Sequence, residues 1–100
     1  MRMMMKFTTP VEKGNEVIKD GSLAKTLEAL MAKIKPEAAY FGSWNGVRSG
    51  MMFFDLTDAS QLVEFAEPLF LNANATVEIV PVMTPDDLRK GLAAVTTSSI

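Results

Sequence analysis

Hydrophobic positions change period several times along the chain, and each change marks an element. From Arg2 to Thr9 they alternate. Met3, Met5 and Phe7 share one face of an extended segment, while Arg2, Met4, Lys6 and Thr8 share the other. Thr9-Pro10 closes this first strand, because proline cannot donate to a ladder. Between Val11 and Lys35 the period becomes helical. Leu23, Leu27, Leu30 and Ile34 form one stripe, with Ala24 and Met31 at its edge. Carried backwards, that stripe puts Glu16 and Asp20 on the buried side and Val17 and Ile18 elsewhere. The pattern therefore predicts a short helix or turn over about Gly14 to Lys19, a break at Asp20-Gly21, and a main helix from about Ser22 that Pro36 stops. A single kinked helix is the alternative.

The stretch Ala38 to Leu56, AAYFGSWNGVRSGMMFFDL, reads as a β-hairpin. Asn45-Gly46 is the dipeptide that best adopts the two positive φ values of a type I′ turn. With these as the loop residues, Trp44 faces Val47, Gly42 faces Ser49, Tyr40 faces Met51 and Ala38 faces Phe53. Phe41 and Gly50, Ala39 and Met52, then Phe54 and Leu56, fall on the other face. Both faces are largely apolar, so the hairpin is expected as the central wall of a sheet covered on each side.

Downstream, Asp58 is a candidate N-cap with Gln61 three residues later, as in a capping box. Leu62, Phe65, Ala66 and Leu69 give this helix its stripe, and Pro68 is expected to kink or shorten it. Thr76 to Met83 is the fourth strand, with Pro81 marking an edge. Thr84-Pro85-Asp86-Asp87 is a helix start with a hydroxyl cap, proline at the first position and carboxylates at the positive end of the dipole. Leu88, Leu92 and Val95 stripe that last helix. The chain is expected to form one domain over residues 1–95, with 96–100 as a frayed tail. The order β-α-β-β-α-β plus a C-terminal helix is that of an α+β, ferredoxin-like fold with an antiparallel sheet. Two helices cover one sheet face. The uncovered face would carry Arg2, Met4, Lys6, Tyr40, Trp44, Ser49, Met51, Phe53, Asp55, Glu78, Val80 and Val82, too apolar a set for water. A second copy packing its sheet there, as a symmetric homodimer, is the expected cover.

Composition narrows the chemistry. The chain has 100 residues, 48% of them hydrophobic, and no cysteine or histidine. Disulfides, thiolate nucleophiles and imidazole bases or ligands are thereby excluded, and no metal or other cofactor is expected. The net charge is −2, with no basic stripe, so nucleic acid is not an expected partner. No run approaches the roughly 18 apolar residues of a membrane span. MRMMMKF is interrupted by Lys6 too early for a signal peptide, so a cytoplasmic protein with no membrane partner is expected.

The chain resembles the dimeric α+β barrel superfamily in its element order. It also resembles a small, uncharacterised bacterial group within or near that superfamily through KPEAAYF, AEPLFLNANA and PVMTPDDL, at 35–41, 66–75 and 81–88. The superfamily contains muconolactone isomerase-like enzymes, cofactor-independent monooxygenases, haem-degrading enzymes and effector-binding domains. The resemblance implies a dimeric barrel; the missing histidine departs from the haem-degrading branch. Fold alone does not transfer function.

Within such a barrel Lys6, Asp55 and Glu78 would face the interior, where a charge must be paired or have its pKa shifted. Glu78 or Asp55 is then a candidate base for an acidic C–H, with Lys6 holding a carboxylate or an enolate. Alternatively Lys6 pairs with one of them across neighbouring strands and fixes register. Tyr40 and Trp44 share a face and can stack on a planar ligand, or form an interface cluster. Ser49 lies on the same face as a further ligand-binding position; without histidine it is no triad nucleophile. Arg48, beside the turn on the helix side, can grip a carboxylate or stand as a solvated edge residue. The expectation is a module binding a small, partly apolar or aromatic acid between sheet and helices. A cofactor-independent isomerase or monooxygenase, or a purely structural dimer, are the alternatives.

Overall fold

The structure is a computed structural model and describes residues 1–98, with side chains for 1–96. Strand β1 (Arg2–Thr8) has the expected alternation: Met3, Met5 and Phe7 are 5%, 0% and 4% exposed. Helix α1 (Val11–Lys19) begins directly after Pro10 and buries Gly14 and Val17. The phase break is real. Asp20 caps α1 through its N–H to the Glu16 carbonyl, Gly21 takes φ 80°, and Asp20 Oδ1 accepts from the Ser22 N–H at 2.8 Å to start α2 (Ser22–Ile34). With the break, α1 buries Val17 while Leu30 and Ile34 of α2 enter the main core. Lys35, at φ 50°, and Pro36 end α2.

Strands β2 (Ala38–Trp44) and β3 (Val47–Asp55) pair in the expected register, Trp44 with Val47 through Ala38 with Phe53. Asn45 and Gly46 have φ 56° and 76°, as a type I′ turn demands. Helix α3 (Gln61–Ala73) starts later than Asp58 suggests. Asp58 Oδ1 instead accepts from the Ser60 N–H and hydroxyl at 2.8 and 2.7 Å, closing a turn. Gln61 Oε1 reaches back to the Thr57 and Asp58 N–H groups at 3.0 and 3.2 Å, which is the reciprocal half of the expected box. Pro68 does not shorten α3, which continues to Ala73 and ends on Asn74 at φ 50°. Strand β4 (Thr76–Pro81) follows, then α4 (Pro85–Ser98). Thr84 Oγ1 accepts from the Asp87 N–H and Asp87 Oδ2 from the Thr84 N–H, both at 3.1 Å. Residues 99 and 100 of the expected tail lie outside the described residues.

The antiparallel sheet has the order β2-β3-β1-β4, a ferredoxin-like α+β arrangement with one face open. The hairpin is thus half central and half edge: β3 lies inside the sheet and β2 at its border. The core sits between β1, β3 and the helices, around Met5, Met52, Phe54, Leu30 and Leu69. Phe54 and Phe65 meet edge to face, their ring centroids 5.4 Å apart. On that face of β1 and β3, Met3, Met5, Phe7, Gly50, Met52 and Phe54 are buried, but Phe41 on β2 is 52% exposed. Its burial under the helices, expected from the alternation, fails because the helix layer centres on the inner strands.

Candidate functional site

The uncovered half of β2 borders a half-open cavity of about 300 Å³ between the hairpin and α2, lined by Phe7, Thr9, Leu23, Leu27, Phe41 and Arg48, with Gly42 and Ser49 completing the wall. Its origin is local. Gly50 stands between Phe7 and Phe41 in adjacent strands, and both rings lean over it; a Cβ there would lie 2.4 Å from Phe7 Cε1 and 3.0 Å from Phe41 Cδ1. Leu23 and Leu27, on the first turns of α2, form the opposing side, only partly buried. The walls are almost wholly apolar. The volume stands at the small end of ligand sites.

Arg48 is the one charged residue of this wall. Its Nη2 donates to Asn15 Oδ1 at 2.9 Å and its Nη1 to the Val11 carbonyl at 3.4 Å. The guanidinium crosses α1 at Gly14, where a Cβ would approach Nη1 to 2.6 Å. The neighbouring backbone is tied down as well: Thr9 N–H donates to the Arg48 carbonyl at 2.9 Å. Arg48 forms no ion pair with a carboxylate among the described residues. A fixed guanidinium with donors to spare at the border of an apolar cavity is suited to an anionic group carried on an apolar body.

The residues singled out from the sequence lie mostly on the opposite, open face. Lys6 Nζ stands 5.8 Å from the Trp44 ring centroid, a cation–π distance. The Trp44 ring folds back over Gly42, whose Cβ would be 3.2 Å from Trp44 Cζ3. Ser49, paired with Gly42, is 4% exposed, and its hydroxyl donates to the Val47 carbonyl at 3.1 Å. Lys6, Trp44 and Ser49 therefore come together, and Ser49 also borders the cavity. Tyr40 is 62% exposed. Glu78 is the register partner of Lys6 and is exposed, but Lys6 forms no ion pair among the described residues. Asp55 is apart from both: it lies opposite Arg2 and accepts from the Met1 nitrogen at 2.9 Å. Arg2 turns instead to Glu37, with two bonds of 3.1 and 3.0 Å that strengthen its hold on its proton. Among the described residues no group of three or more carboxylates is placed to hold a metal ion.

The sequence pattern assigned Phe7, Phe41, Leu23 and Leu27 to core. The available clue was steric: Gly50 falls on the same sheet face as Phe7 and Phe41. A second, smaller cavity of about 100 Å³ lies between α2 and α3, lined by Thr26, Leu30, Lys33, Pro68 and Asn72 among others. Compared with protein-family models and with curated proteins, the chain matches none. Among the described residues no helix is long and apolar enough to cross a membrane.

Proposed function

We propose that this chain is a binding module for a small, partly apolar or aromatic acid, held between the hairpin and α2, and that it acts as a homodimer of the dimeric α+β barrel type in a bacterial cytoplasm. One observation carries the ligand assignment: an apolar cavity of about 300 Å³ whose single charged wall residue, Arg48, has no carboxylate partner among the described residues. The apolar body supplies burial and the acid meets the remaining guanidinium donors. The dimer is supported by the open sheet face, where Tyr40 and Val80 are 62% and 40% exposed beside half-exposed Met4, Met51, Phe53 and Val82.

Phenylacetate and its neutral amide are suitable probes for an NMR titration of the ¹⁵N-labelled chain. Phenylacetate is expected to shift the amides of Phe7, Leu27 and Phe41 and to bind at least about tenfold more tightly than the amide, a typical worth for a charge-assisted bond. Arg48→Lys should weaken the acid selectively, and Leu27→Phe, which fills the cavity with Arg48 retained, should abolish binding of both probes. Equal response to acid and amide, or shifts confined to the open face, defeats the assignment. Conversion of a probe during the titration would instead favour the isomerase or monooxygenase class, with Glu78 or Asp55 as the base to test.

A further inference from the structure

Helix α1 holds Arg48 without neutralising it. Asn15 Oδ1 accepts from Nη2 at 2.9 Å and the Val11 carbonyl from Nη1 at 3.4 Å, and both acceptors are uncharged. The helix does carry carboxylates, Glu12 and Glu16, on either side of that contact. Neither pairs with Arg48 among the described residues, and Glu16 meets Lys13 at 3.5 Å instead. An arginine side chain offers five N–H donors, so these two bonds leave most of the fork open. Helix α1 also yields space. Gly14 is buried in its interior, where glycine weakens a helix more than any residue but proline. What the missing side chain admits is the guanidinium: a Cβ would lie 2.6 Å from Nη1, whereas the next nearest atom, Thr9 Oγ1, would be 3.4 Å away.

We infer that Gly14 and Asn15 are the positioning residues of the acid site: they seat the Arg48 guanidinium against α1 with its charge uncompensated, so that an anionic ligand in the cavity meets a fixed fork of donors. This role rests on the acid-binding module proposed above. The main chain of Arg48 is fixed independently, since the Thr9 N–H donates to its carbonyl at 2.9 Å. A free arginine gives up rotamer freedom when it grips a ligand, and one already seated gives up less. The choice of an amide over a carboxylate at position 15 separates this role from a simple tie between α1 and β3. A carboxylate would make the stronger, charge-assisted tie, but it would cancel the charge. The Asn15 amide holds the guanidinium and leaves its charge for the ligand.

Asn15 is exposed, so Asn15→Asp alters the charge beside Arg48 without touching the core. The full chain is titrated by NMR with phenylacetate and with phenylacetamide. Asn15→Asp should weaken phenylacetate at least about tenfold and leave phenylacetamide within about twofold of wild type, because only the acid uses the charge. Lys90→Gln makes the same change of net charge on α4. In about 0.15 M salt, where charges are screened beyond about 8 Å, it should leave both probes within about twofold. Gly14→Ala pushes the guanidinium off α1, since Nη1 ends a flexible side chain, and should lower the preference for the acid over the amide as well. A preference kept in full by either variant overturns the positioning role of that residue and leaves the acid-binding module standing. Equal loss of both probes in Asn15→Asp also overturns it, as that is the mark of a purely structural contact. A wild type that binds the two probes alike overturns both the positioning role and the acid-binding module.

Discussion

Gly50 shows how one missing side chain shapes a site. Phe7 is 4% exposed and held by the core, so a Cβ at 2.4 and 2.6 Å from its ring edge cannot be met by a simple swing of the ring. Gly50→Ala should lower stability by about 1–3 kcal/mol, the range for overpacking, read as a lower urea midpoint with unchanged slope. It should also weaken phenylacetate binding, because the displaced rings narrow the cavity. Three exposed carboxylates carry a different consequence. Asp20 and Asp58 are held below the usual aspartate range first by the hydroxyls of Ser22 and Ser60 and then by their N–H groups; Asp87 is held low by the Thr84 N–H and then its hydroxyl. Since folding lowers these values, the stability they add is complete above the unfolded aspartate pKa of about 3.9 and is lost as the pH falls through the lower native values. Urea midpoints of the wild type should therefore fall between pH 4 and pH 2, and the triple Asn variant should lose less over that interval. A steeper fall in the variant would contradict the assignment. These turns were visible as residue types in the sequence, but which oxygen each N–H meets depended on where the helices start.

Among the elements, α3 contains the clearest local conflict. Pro68 has no N–H for the Glu64 carbonyl, yet the helix runs on to Ala73 because Phe65, Ala66, Leu69 and Ala73 all enter the core. Tertiary burial on both sides of the proline holds together what propensity alone would end. Pro68→Ala removes a cost of up to about 3 kcal/mol in the helix and loses a smaller contact with α2. A higher melting temperature is expected, by roughly 4–8 °C for each kcal/mol recovered; a lower one would mean that the ring packs better than the helix suffers. The split between α1 and α2 was legible because the apolar stripe changes phase at Asp20-Gly21. The late start of α3 was not, because Asp58 and Ser60 satisfy each other and the competition between two caps is decided by distances.

For the molecule as a whole, two phenylalanines on the same sheet face have opposite fates. Phe54 is fully buried against Phe65, and Phe41 is 52% exposed at the cavity. Phe54→Ala should cost about 3–5 kcal/mol, a large share of a small domain's total of about 5–15 kcal/mol. Phe41→Ala should cost about 1 kcal/mol or less, since little apolar surface is lost from the interior, while opening the cavity; similar losses in chemical denaturation would show that Phe41 is core after all. The sequence by itself determined the strands, the type I′ turn, the hairpin register, the helix stripes and the element order, because each follows from alternation, φ preference or capping within a few residues. Only the tertiary structure decided that β2 is the outer strand, that the helices centre on β1 and β3, and that Arg48 crosses α1 at Gly14. These depend on how wide a helix layer is relative to the sheet beneath it. That mismatch, and no local pattern, leaves the cavity beside Phe41.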